Sequence, residues 1–212
     1  MNLFKHLRAI AAFLAIVLVT SASAAEVDSA VAALKQGHLV IVFRHMATDD
    51  SQADIYPFRF DDMKAQRQLS DAGREAARKL GAALKALGIP MDKIYTSKLN
   101  RAVETGELLS GKDVQTRAEL TDSGAGSTSA MANPAAKNAK IRSAIHVLVN
   151  TPTPDNNNNI LVTHKTNISD AFGNQFSDVK EGEALIFRSV NSGEPTLLAR
   201  VLPQQWEQAE RK

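Results

Sequence analysis

The stretch Leu39-Val40-Ile41-Val42-Phe43-Arg44-His45 decides the fold. Five apolar residues, three of them β-branched, run directly into an arginine and a histidine. A continuous apolar run of this length reads as a strand buried on both faces, the kind found in a parallel sheet. In open α/β sheets, ligands bind outside the carboxyl ends of such strands. Arg44 and His45 stand at that end.

Working outward, the rest of the chain alternates strands and helices. Toward the N-terminus, Asp28 or Ser29 can cap a short helix with Val31 and Leu34 on one face and Gly37 as its stop. Toward the C-terminus, Met46 to Gln68 is polar and aperiodic. A loop of that length is uncommon in a compact domain and usually functional, so it is expected to wall the site. Ser70 starts a helix with Ala76, Leu80, Ala83, Leu84 and Leu87 at helical spacing, ended by Gly88 and Pro90. Lys93–Ser97 is a short strand, and a helix follows from near Leu99 to Gly111.

Arg101 falls in the first turn of that helix, where a cation opposes the helix dipole by roughly 0.3–1 kcal/mol. A bound anion would offset the opposition. Val114–Arg117 is a brief strand, and Glu119–Ser127 a second loop at the same sheet edge. Asn133-Pro134 starts a helix whose apolar stripe is Ile141, Ile145, Leu148 and Val149, with His146 outside it as a surface residue. Ile160-Leu161-Val162-Thr163 then repeats the opening pattern and ends in His164, followed by a turn or short helix over Asn167–Phe172. Glu183–Arg188 and Thr196–Leu202 form a terminal strand pair, antiparallel at an edge, and Trp206 closes the chain. The expected fold is three-layer α/β: a mostly parallel central sheet with helices on both faces.

Residues 1–25 read as a signal peptide rather than part of the fold. Lys5 and Arg8 form a basic start, Ala9–Val19 is an unbroken apolar run, and Ser21–Ala25 supplies small residues for cleavage after Ala24 or Ala25. That run falls short of the roughly 20 apolar residues needed to span a bilayer. The expectation is one mature domain over residues 26–212, periplasmic or secreted, with no stable membrane insertion after cleavage. Of the formal net charge of +2, Lys5 and Arg8 carry two positive charges, so the mature chain is near neutral. No basic stripe with interleaved aromatics is present, which argues against nucleic acid as a partner. There is no cysteine, so disulfides, thiolate metal sites and a thiol nucleophile are excluded.

Three strand-to-helix junctions thus carry Arg44-His45, Arg101 and His164. In a doubly wound sheet they can converge into a pocket for a small dianion, since the planar guanidinium fork suits phosphate oxygens. The segments Arg44-His45-x-x-Thr48, Leu69-Ser70-x-x-Gly73-x-x-x-Ala77, Ser97-x-x-x-Arg101-Ala102-x-x-Thr105 and Val162-Thr163-His164 follow one another in the order and spacing of a known family. From about residue 39 to about residue 189 the chain resembles the histidine phosphatase superfamily, the phosphoglycerate mutase-like proteins.

The resemblance implies His45 as a nucleophile that carries the phosphoryl group, its other ring nitrogen donating to a backbone carbonyl. Arg44, Arg101 and His164 would bind the phosphoryl oxygens. It implies no metal and no cofactor, and a small phosphorylated substrate or phosphate ion as the partner. Two positions depart from the family. Met46 stands where glycine is usual, and is expected to narrow the pocket or alter the backbone angle. The general acid is not plain: Asp122 is the first candidate, Glu119 the second, and Lys165 occupies the position where another branch has an aspartate. Lys165 and Arg67 could add charge at the rim, solvated surface being the first reading for each. Without an acid the enzyme would favour good leaving groups. The implied activity is phosphomonoester hydrolysis, the alternatives being a non-catalytic anion-binding member of the fold or a phosphomutase.

Overall fold

The computed structural model of the protein describes residues 23–121, 134–153, 156–190 and 193–212, with only the backbone of 134–138. A six-stranded sheet forms from β1 (Leu39–Arg44), β2 (Met91–Thr96), β3 (Gln115–Thr116), β4 (Asn158–Thr163), β5 (Ala184–Arg188) and β6 (Thr196–Val201). Its strand order is β3-β2-β4-β1-β5-β6. β3, β2, β4 and β1 pair in parallel, while β5 is antiparallel to both β1 and β6. The terminal antiparallel pair is therefore as expected.

β1 shows why both sheet faces must be covered. Leu39, Ile41 and Phe43 point into one apolar cluster, Val40 and Val42 into the other. On the first face lie α1 (Ala24–Gln36), α2 (Asp71–Ala86), α3 (Asn100–Ser110) and α6 (Pro203–Glu210), contributing among others Leu34, Leu80, Leu84, Leu109 and Trp206. On the second lie α4 (Pro134–Val149) and α5 (Lys165–Phe172), contributing Ile145, Val149, Ile168 and Ala171. The three layers are thus dictated by a strand whose alternate residues are all apolar.

Four local expectations need correction. In the uncleaved chain α1 begins at Ala24, because Ser23 and Glu26 form a capping box ahead of Asp28 and Ser29, a cap that cleavage after Ala24 or Ala25 removes. β2 begins at Met91, two residues early. The Met46–Gln68 stretch is not structureless: Thr48 bridges Leu69, a 3₁₀ turn covers Met63–Ala65, and the Asp62 carboxylate caps that turn. His146 is half-buried rather than a surface residue, its ring stacked on Phe172 and its Nε2 against the Ala171 carbonyl at 3.0 Å.

Candidate active site

Parallel pairing brings the junctions together. Arg44 lies opposite Thr163 in the β1–β4 register, and Thr96 opposite Val162 in the β2–β4 register. Just past the strand ends the backbone continues the lacing: His45 N–H donates to Thr163 O at 3.0 Å and Ser97 N–H to Val162 O at 2.9 Å. His45 and His164 therefore stand side by side, ring centroids 5.2 Å apart and both buried. Arg101, on the first turn of α3, is also buried.

Each ring is held by one nitrogen. His45 Nδ1 lies 2.7 Å from Met46 O. A carbonyl only accepts, so Nδ1 carries the proton and Nε2 keeps its lone pair. His164 Nε2 lies 2.8 Å from Ser97 Oγ, a hydroxyl that already accepts from the Leu99 N–H. We assign the hydroxyl hydrogen to Nε2, which puts the His164 proton on Nδ1. Among the described residues that nitrogen is buried and without a protein partner, as is Nε of Arg44, Arg67 and Arg101. Unused buried donors of this kind point to an anion.

Electrostatics keeps both rings neutral. Burial pushes the His45 pKa well below its ordinary value, and His164, Arg101 and Arg44 push the same way against the Met46 carbonyl. His164 is likewise held well down, by burial first and then by Arg101, Arg44 and Arg67. The Arg44 pKa is lowered by burial and by Arg67 and Arg101, with Glu181 opposing. Arginine stays charged regardless, so the direction reports crowded positive charge.

Two carboxylates moderate that crowding. Arg101 Nη1 donates to Asp54 Oδ1 at 2.9 Å. Arg44 donates through Nη2 to Glu181 Oε1 at 3.2 Å and through Nη1 to Val179 O at 2.9 Å. The anion anticipated at Arg101 is thus supplied from within the chain, by Asp54. Three guanidinium groups against two carboxylates leave a net positive site when both imidazoles are neutral.

Arg44, His45, Arg101 and His164 come together as the sequence led one to expect. Lys165 is exposed, also as expected. Arg67 is a correction: it is half-buried, and its charge bears on both Arg44 and His164. The expectation for Met46 is corrected too. Its side chain is buried in the core against Gly182, away from the site, and its backbone has no positive φ. Its N–H donates to Thr105 Oγ1 at 3.1 Å. Asp122 lies outside the described residues. Glu119 is exposed, and its carbonyl accepts from Asn167. Asp54 and Glu181 escaped sequence reasoning as site residues because they sit in aperiodic polar segments. Among the described residues no group of three or more His, Asp or Glu is arranged to hold a metal ion.

A covered, mostly parallel sheet whose carboxyl edge gathers two neutral histidines and three arginines defines an α/β protein with a positively charged, partly buried site. The chain belongs to the histidine phosphatase superfamily: the pattern of that superfamily's branch 1 matches residues 40–154, more than half of the 212. Comparison with curated proteins finds no match. Among solved structures, the fold is shared with the protein histidine phosphatase SixA in complex with tungstate. That pair has 16% identity and TM-score 0.54, covering 78% of this chain and 97% of the other. It is shared with phosphoserine phosphatase from Entamoeba histolytica in complex with 3-phosphoglyceric acid, at 15% identity and TM-score 0.54, covering 79% and 98%. Bacillus stearothermophilus YhfR aligns at 16% identity and TM-score 0.54, covering 76% and 95%. These similarities show the fold.

Proposed function

We propose that the protein is a phosphomonoester hydrolase that works without a metal, through a phosphohistidine intermediate. The observation that carries this reading is His45: its Nδ1 donates to the Met46 carbonyl, leaving Nε2 unprotonated among arginines. A phosphomonoester dianion is held by Arg44, Arg67, Arg101 and Nδ1–H of His164. His45 Nε2 attacks phosphorus, the P–N bond forms, and the P–O bond to the leaving alcohol breaks. The arginines stabilise charge on the equatorial oxygens as it moves. The leaving oxygen takes its proton from Asp122 or, failing that, from Glu119. Water then attacks phosphorus, the P–N bond breaks, its proton passes to the same carboxylate, and phosphate departs. The phosphate-type ligands bound by structural relatives, tungstate and 3-phosphoglyceric acid, support a small phosphorylated substrate.

The test is hydrolysis of p-nitrophenyl phosphate in EDTA by wild type and His45→Ala. The expected result is turnover in the wild type, loss of it in the variant, and an acid-labile phosphoenzyme trapped by quenching only in the wild type. Equal turnover in the variant would sink the mechanism. Vanadate binding with no turnover would favour the anion-binding alternative, and transfer of phosphate between two organic acceptors would favour a mutase.

We also infer that residues 1–25 direct export and are then removed, on the strength of the basic, apolar and small-residue order at the N-terminus. N-terminal sequencing of protein from a periplasmic fraction should begin at Ala25 or Glu26. An intact Met1 on membrane-bound protein would refute this.

A further inference from the structure

Five large hydrophobic side chains stand exposed among the described residues, and four of them lie in one loop: Ile55, Tyr56, Phe60 and Met63. Clustered exposed apolar surface marks a binding site more often than chance solvation. This loop is held firmly at both ends. Asp54 Oδ1 accepts from the Arg67 N–H at 2.9 Å, and Ile55 N–H donates to Ala65 O at 2.9 Å. Gln66 donates through Nε2 to the carbonyls of Arg59 and Phe60, and its Oε1 accepts the Asn100 N–H. Gln68 Oε1 takes Asn100 Nδ2. The loop is thereby tied to the first turn of α3, which carries Arg101.

The exposed face is a row of rings. Tyr56 and Phe58 have centroids 4.6 Å apart, Phe58 and Phe60 6.0 Å. Lys98 Nζ lies 5.8 Å above the Phe60 ring. The row starts two residues from Asp54, whose carboxylate is on Arg101. It ends over Lys98, next to Ser97, whose hydroxyl holds His164. Both ends of the row are thus one or two residues along the chain from groups that hold Arg101 and His164, which sets it beside the anion site.

We propose that this aromatic row is the leaving-group subsite, and that the physiological substrate is a phosphomonoester with an apolar, ring-bearing organic group. The inference rests on the phosphatase reading and adds the substrate class to it. The dianion is held by the arginines and the two imidazoles. The ring stacks on Phe58 and Phe60, where offset or edge contacts at such centroid distances are favourable. Lys98, over the Phe60 ring, adds positive charge at that end of the row.

Two substrates isolate this contact: 2-phenylethyl phosphate and ethyl phosphate. Both release a primary alcohol of similar basicity, so a difference in kcat/KM reads the organic group rather than the leaving ability. The wild type is expected to prefer the phenylethyl ester by about 10-fold or more, mainly through KM, the size of preference that apolar pockets give. In Phe58→Ala/Phe60→Ala the ratio should fall to within about 3-fold, with Phe60→Ala alone between the two. Thermal unfolding of each variant establishes that it is folded. Equal efficiency of the wild type on both esters would overturn the subsite while leaving the phosphatase reading intact. So would a preference that survives both substitutions. Equal efficiency with cosedimentation of the wild type on phosphatidylglycerol vesicles would assign the row to a membrane surface instead. Failure to hydrolyse p-nitrophenyl phosphate or either ester would overturn the phosphatase reading, and this inference with it.

Discussion

Arg101 sits where a cation is disfavoured by its own helix and is buried, yet one guanidinium nitrogen already holds the Asp54 carboxylate. An incoming dianion must share Arg101 with that carboxylate or displace it. Asp54→Asn keeps an acceptor for Arg101 and for the Arg67 N–H while removing the negative charge. Orthovanadate should then bind about 5- to 10-fold more tightly by calorimetric titration, corresponding to about 1–1.4 kcal/mol of relieved repulsion. Unchanged or weaker binding would show that Asp54 does not oppose the bound anion. Arg101→Ala should lower kcat by about 10²–10³-fold, the range seen when one preorganised donor to a charged transition state is lost. The two histidines make a pH prediction. Unfolded, both rings take up protons as pH falls through about 6.5, while burial keeps the folded rings neutral. The unfolded state then binds more protons, so stability is lost as pH drops below about 6.5, by about 1.4 kcal/mol per unit per ring. Urea unfolding at pH 7.5 and 5.5 should show a drop in the wild type about 3 kcal/mol larger than in His45→Asn/His164→Asn. Equal drops would mean the rings titrate normally in the folded protein. At this scale the sequence showed Arg44, His45 and His164 because each ends an apolar strand. Asp54 and Glu181 were hidden because their partners lie 47 and 137 positions away, with no period to connect them.

Among the elements, α2 explains a motif that was only a pattern in the sequence. Ser70 caps the helix, its Oγ accepting the Gly73 N–H at 3.0 Å, and the Ser70 N–H donates to Ala47 O. The helix start is thus pressed onto the segment just after His45. A Cβ on Gly73 would lie 2.1 Å from Ala47 O, too close for any real contact. Gly73→Ala must push that carbonyl away, and with it the turn bearing His45. The expected outcome is a loss of about 1–3 kcal/mol, typical of overpacking, together with a fall in kcat, read by urea unfolding and by p-nitrophenyl phosphate turnover. A variant with wild-type stability and rate would show that this contact does not position the turn. Helix α2 was legible because its periodic apolar face, cap and stop all agree. The start of α1 was not: Asp28 and Ser29 looked like caps, yet Ser23 with Glu26 three residues on satisfies the first turn earlier.

Over the whole molecule, a chain without cysteine relies on packing, and the alternating strands read correctly as a sheet covered on both faces. What the sequence concealed is a buried ion pair at the junction of the parallel part and the antiparallel extension. Glu183 Oε1 accepts from Arg200 Nε at 2.6 Å, and both side chains are almost fully buried. The other Glu183 oxygen accepts the Lys180 N–H, and the Glu183 carbonyl accepts the Arg44 N–H. The pair therefore braces β6 against the turn behind the site. Removing Arg200 leaves the Glu183 carboxylate in a dry environment, so Arg200→Leu should cost about 3–5 kcal/mol, whereas Glu183→Leu leaves Arg200 its contact to the exposed Asp178 carboxylate and should cost less. Removing both charges leaves no stranded charge, and Glu183→Leu/Arg200→Leu should recover at least half of the Arg200→Leu loss, since apolar replacement of a buried pair is often neutral. Urea unfolding of the two single variants and the double variant closes the cycle. If the single losses simply add in the double variant, the pair is not coupled and the extension is held by its strand pairing alone. Strong coupling would instead mean that the buried pair, beside the more exposed Arg200–Asp178 contact at 3.0 Å, fastens β6 to the turn behind Arg44 and so ties the antiparallel strands to the sheet bearing His45.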